Sequence, residues 1–160
     1  MRDYALFQAI RNNDRNLFNA YIDEADINQI NENGQNLLHE AIVSQNSLIA
    51  EELIYRKINV NQGDKNLQTP LHYCAMHDNA DIARLILLHG GHLNLSDNFG
   101  NQPLWIAVFN AKGRYNIVNV FMQYNPDIHH KNNNNKSPLD FAKQINDQTL
   151  VSILFSNKSA

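Results

Sequence analysis

The sequence predicts an all-α array of repeated helix–turn–helix units, and three observations predict it. Four segments align: Asn36-Leu37-Leu38-His39, Thr69-Pro70-Leu71-His72, Gln102-Pro103-Leu104-Trp105 and Ser137-Pro138-Leu139-Asp140. Their leucines, Leu38, Leu71, Leu104 and Leu139, are spaced 33, 33 and 35 residues apart. Three residues beyond each leucine stands a small residue: Ala41, Cys74, Ala107 or Ala142. Self-similarity at a period of this length marks a stack of supersecondary units that share one continuous core.

The elements follow in order. A fainter first copy begins at Leu6, with Ala9 at the small position, 32 residues before Ala41. The third copy spells out the unit. At Thr69-Pro70 a capping hydroxyl precedes a proline suited to the first helical position, and Ser137-Pro138 repeats the device. A short first helix carries Leu71, Cys74 and Ala75 on one face and breaks at Asp78-Asn79. A second helix carries Ile82, Ala83, Leu85, Ile86 and Leu87. Gly90-Gly91 ends it, because glycine enters the left-handed region without penalty. The stretch from His92 to Asn101, with Leu93, Asn94, Asp97 and Gly100, suits an extended turn. The fourth copy holds two extra residues near Ala111-Lys112, and the fifth stops after its second helix. The chain is thus expected to be one domain, 1–160, of five units at about 3–33, 34–66, 67–99, 100–134 and 135–157. The first and last would act as caps, the first hydrated by Arg11, Asn12, Arg15 and Asn16.

These residues resemble a family. Thr69-Pro70-Leu71-His72-Tyr73-Cys74-Ala75 resembles the ankyrin motif T-P-L-H-x-A-A, and Ala25-Asp26-Ile27-Asn28 and Asn59-Val60-Asn61 resemble the run that leads into its finger. The resemblance extends from about Tyr4 to Phe155. It implies an all-α ankyrin-repeat solenoid of stacked helix–turn–helix units with β-hairpin fingers. The fingers and first helices would line a concave face, and the second helices a convex back. Gln102 departs from the pattern where threonine would cap, and Trp105 where a histidine organises the finger. Leu67 replaces the turn glycine, at a cost of about 1–2 kcal/mol if it keeps a left-handed conformation. Asn135 makes the same replacement more mildly, because asparagine tolerates that region.

Composition narrows the function. A net charge of −3 gives no basic excess for nucleic acid. Five basic and nine acidic residues lie up to Asn61, against eight and seven beyond it, so the acidity gathers in the N-terminal part. That pattern fits a partner with a basic surface, or simply solvated helix faces. The single cysteine, Cys74, leaves no disulfide framework and suits the reducing cytoplasm; at the small-residue position it is expected to be buried and inert. Met1 to Arg15 lacks the apolar core of a signal peptide, and no apolar run is long enough to span a bilayer. His39 and His72 are expected to bond the neighbouring finger. His89, His92, His129 and His130 have no Cys or carboxylate at ligand spacing. No nucleophile–base set or phosphate loop can be read, so no catalytic residue, cofactor or metal is expected.

The expectation is therefore a non-enzymatic protein-binding module, monomeric when free, that inhibits or sequesters its partner. A bacterial immunity protein neutralising a cognate toxin is an alternative, as is a passive scaffold or host-directed adaptor. The resemblance places recognition on finger tips and on the exposed ends of first helices. Carried over residue by residue, this gives Ile30, Glu32, Asn33, Gln35, Val43 and Ser44 in the second unit. The third supplies Lys65, Asn66, Gln68, Tyr73, Met76 and His77. The fourth supplies Ser96, Asn98, Phe99, Asn101, Phe109 and Asn110, and the last Lys131, Asn133, Asn134 and Lys136. Phe99 and Phe109 stand out, because large exposed apolar groups mark contact sites. Phe99 could instead fold back onto the next finger, and Phe109 could pack under the longer loop. Trp105 is read as half-buried support.

Overall fold

The computed structural model describes residues 3–156, so the outermost residues of the predicted domain lie outside it. Ten helices are described, in five consecutive pairs. They are α1 (Asp3–Arg11) with α2 (Arg15–Tyr21), α3 (Leu37–Val43) with α4 (Ser47–Tyr55), α5 (Pro70–His77) with α6 (Ala80–Leu88), α7 (Pro103–Asn110) with α8 (Asn116–Met122), and α9 (Pro138–Gln144) with α10 (Gln148–Phe155). The first helices pack on one another in the order α1, α3, α5, α7, α9, while α4, α6, α8 and α10 form a second layer behind them. None of the described helices is long enough to be stable alone; the stack holds them.

The small residues explain the close pairing. Ala9, Ala41, Cys74 and Ala142 are wholly buried, and the carbonyl of each accepts the N–H of the residue that caps the following helix. That residue's side chain then caps the helix: Asp14 takes the Leu17 N–H, Asn46 that of Ile49, Asn79 that of Ile82 and Asp147 that of Leu150. The intervening turn needs one left-handed residue, supplied by Asn13, Gln45, Asp78 and Asn146. The fourth unit departs where the sequence places its extra residues. Ala111 to Tyr115 form a longer loop, turned through Lys112 and Gly113 at φ 45° and 84°, and Tyr115 gives α8 no side-chain cap.

The fingers are chain reversals rather than the expected hairpins. Ile30 and Asn36 form one isolated antiparallel bridge, and no strand ladder exists among the described residues. Asn31, Asp64, Asp97 and Asn132 open the four fingers, and each donates its N–H to the carbonyl four residues on, at 2.9–3.0 Å. The Oδ1 of each also accepts the N–H groups two and four residues ahead. Successive fingers are then tied together: Lys65 N–H to Asn33 O, Asn98 N–H to Asn66 O and Asn133 N–H to Phe99 O, each 2.9 Å. The fourth residue of each finger lies left-handed: Gly34, Leu67, Gly100 and Asn135. Leu67 sits at φ 61° and is 54% exposed, so packing does not repay its strain.

Histidines brace this frame as expected. His39 Nε2 donates to Gln68 O at 3.0 Å and His72 Nε2 to Asn101 O at 2.9 Å, while each Nδ1 accepts the N–H of its own helix cap, Asn36 or Thr69. Both rings are buried. Cys74 is buried too, and burial pushes its thiol well above the ordinary range, so it stays protonated.

Two outcomes test this frame. Leu67→Gly is expected to raise stability by about 0.5–1 kcal/mol, read from the urea midpoint, because glycine relieves left-handed strain at an exposed site. Burial pushes His39 down to about 4 from the ordinary 6.5, against the pull of the Gln68 carbonyl, and lowers His72 in the same way. Between those values the unfolded chain binds the proton and the folded one does not. Stability is therefore whole above about pH 6.5 and lost as pH falls toward 4, with about 3 kcal/mol at stake at His39. Urea unfolding across this window should show a steep fall, and a shallower one in His39→Gln.

Candidate protein-binding surface

What this surface offers is what the frame leaves free. Among the sequence-predicted residues, Ile30, Glu32, Asn33, Lys65, Asn66, Asn98, Phe99, Lys131, Asn133, Asn134 and Lys136 are exposed on or beside the fingers. Val43, Met76, His77 and Phe109 are exposed on the first helices, and Ser44, Gln35, Gln68, Ser96 and Asn110 are half-buried. Tyr73 and Asn101 belong to the interior instead. Tyr73 is 7% exposed; its hydroxyl donates to Asp64 Oδ2 at 2.8 Å and accepts from Gln35 Nε2 at 2.7 Å, joining two fingers. Asn101 is 9% exposed, and its Oδ1 accepts Asn132 Nδ2 at 2.8 Å. Gln35 and Gln68 are likewise spent on the next unit, Gln35 Nε2 on the Tyr73 hydroxyl and Gln68 Nε2 on Asp97 Oδ2.

The exposed apolar residues fall into a pattern. Val43, Met76 and Phe109 occupy the same position of α3, α5 and α7, 33 residues apart, and all three are exposed. On the fingers, Phe99 is 62% exposed and does not fold back. Phe109, 49% exposed, does not pack under the longer loop. It stacks on Trp105, with ring centroids 5.0 Å apart and planes at 15°, and lies 5.2 Å from Phe141. Trp105 is half-buried, as read, 5.9 Å from Phe141, and its Nε1 has no hydrogen-bond partner.

Leu67, Trp105 and Phe141 were not among the predicted contact residues. A signal existed for Phe141, which is aromatic at the register of Tyr73, two residues past the repeat leucine. Nothing in the sequence says that it turns toward Phe109.

Several charges are paired within the chain. Arg11 meets Glu40, Arg15 meets Glu52, and Arg56 meets both Glu52 and Asp23. Arg11 and Arg15 therefore fasten the first helix pair to the second as well as hydrating it. At the other end Lys131 pairs with Asp140, which takes the histidine's place in the last unit and accepts the Ser137 N–H. These bonds hold the Asp140 carboxyl well below the usual range. Among the described residues no three His, Cys, Asp or Glu side chains gather as a metal requires, and no helix is long and apolar enough to cross a membrane.

A family model for ankyrin repeats in three copies matches residues 6–97 and again 68–132. The chain belongs to the ankyrin repeat family. No curated protein matches it. Ankyrin repeats are generally protein–protein interaction modules.

The division between frame and surface is testable. Tyr73→Phe in this ankyrin protein removes two buried hydrogen bonds and should cost about 1–3 kcal/mol by urea unfolding. Exposed Asn66→Ala should change stability by no more than about 0.5 kcal/mol in the same measurement.

Proposed function

We propose that this ankyrin array binds a partner protein through the face formed by its fingers and first helices, and that binding is itself the output, by inhibition or sequestration. The apolar stripe of Val43, Met76 and Phe109, with Phe99 at the finger tip, is the observation that supports this. Burying one such phenylalanine contributes about 1.5–3 kcal/mol, enough for an anchor. The packing of Phe109 against Trp105 and Phe141 holds one ring in place before any partner arrives, which lowers the ordering cost of binding. A reducing compartment such as the cytoplasm suits the lone buried thiol. In the acidic N-terminal part Glu40, Glu52 and Asp23 are already in ion pairs, which leaves less charge there for a basic partner.

The test is affinity capture from the native source with wild type and a folded Phe99→Ala/Phe109→Ala variant, read by mass spectrometry. A protein retained by wild type and lost from the variant is the expected outcome. Equal retention would move the site away from these rings, and no specific retention by either would sink the reading.

A further inference from the structure

We propose that the partner presents an acidic segment carrying large apolar side chains, held at the C-terminal half of the face by Lys65 and Lys136 on either side of Met76, Phe99 and Phe109. This rests on the reading of that face as the binding surface and adds the chemistry of what it takes.

The inference comes from which charges the fold has already used. Four carboxylates belong to the fingers and first-helix units of this half, and none is offered to a partner. Asp64 and Asp97 are buried, with their oxygens turned inward onto finger N–H groups, the Tyr73 hydroxyl and the Gln68 amide. Asp78 lies 3.7 Å from Arg114, and Asp140 is held by Lys131 and its own helix cap. Asp81 lies on α6 of the second layer, Asp127 caps the turn after α8 by accepting the His129 N–H, and Asp147 caps α10 and accepts the Tyr115 hydroxyl.

Two cations on the fingers themselves have no such partner. Lys65 is exposed at the tip of its finger, where only its backbone is bound, to Asn33 O and Asn98 Nδ2. Lys136 is exposed on the last finger, and its Nζ donates to the neutral amide of Gln144 at 3.0 Å. Neither forms an ion pair among the described residues. Gln144 occupies on α9 the position that Phe109 holds on α7, so the Lys136 ammonium stands beside the end of the apolar stripe. At the opposite end, Glu40 is paired with Arg11, while Glu32 accepts the Tyr4 hydroxyl and keeps its charge, with no ion pair among the described residues. The C-terminal half of the face therefore carries unpaired positive charge beside Phe99 and Phe109. A segment of opposite charge is steered to it and one of like charge is repelled. Basic partners and nucleic acid lose by the same balance, although the whole chain carries −3.

Three short peptides decide the matter. They share leucine and phenylalanine positions and differ in carrying glutamate, glutamine or lysine elsewhere. Binding to the full chain is read by fluorescence anisotropy at low and physiological ionic strength. The glutamate peptide should bind roughly tenfold tighter than the glutamine one at low salt, with the lysine peptide weakest. Lys65→Glu/Lys136→Glu should reverse the order with an unchanged melting curve, and Phe109→Ala should weaken all binding. Glutamine or lysine peptides binding as tightly as glutamate, or no binding by any of the three, would overturn the inference. The capture experiment with the phenylalanine variant reads the surface independently of charge, so the two readings fail separately.

Discussion

One side-chain oxygen at the head of each finger carries the geometry of the stack. The Oδ1 of Asn31, Asp64, Asp97 or Asn132 accepts two backbone N–H groups ahead of it, and this closes the chain into a reversal of fixed shape. Because the reversals are alike, the N–H at the second position of one finger meets the carbonyl at the third position of the finger before it. The repeat distance along the fingers is thereby matched to the distance at which Ala41, Cys74 and Ala142 let the helices pack. A reversal of another shape would leave buried backbone groups unpaired in every following unit.

The fourth unit shows how a surface is made from a position released by the frame. His39 and His72 each spend a ring nitrogen on the carbonyl of the next finger. Trp105 stands at the same register and makes no such bond. The last finger is held instead by asparagine side chains, Asn132 to Asn101 and Asn133 to Asn98, and by His130 Nε2 to Gly100 O. Freed of that duty, the indole stacks on Phe109 and fixes its direction. The same exchange that removes a polar brace builds a rigid aromatic wall.

Charge follows the same economy. Asp64 and Asp97 on the fingers are buried as hydrogen-bond acceptors, and Glu40, Asp78 and Asp140 are matched by a neighbouring arginine or lysine. The net charge of the chain therefore says little about the face a partner meets, which is set by the exposed ions left unpaired on that face after folding.

Much of the fold was legible in the sequence, because a repeat array uses local rules applied in register. The spaced leucines, the small residues three places on, the Thr69-Pro70 and Ser137-Pro138 starts and the left-handed position at Leu67 all act within one unit or between neighbours. Even the longer loop near Ala111 was fixed by arithmetic on the repeat. The fingers were less legible: their defining oxygen sits on residues of two types, Asn and Asp, spread among many other asparagines. The candidate surface divided along the same line. The sequence by itself determined which positions lie on fingers and first helices. Only the tertiary structure decided that Tyr73 and Asn101 are buried as links between units, that Phe141 and Trp105 back Phe109, and that Lys65 and Lys136 form no ion pair among the described residues. Those outcomes depend on side chains brought together from different units, where distance in space, rather than spacing along the chain, sets which groups satisfy one another.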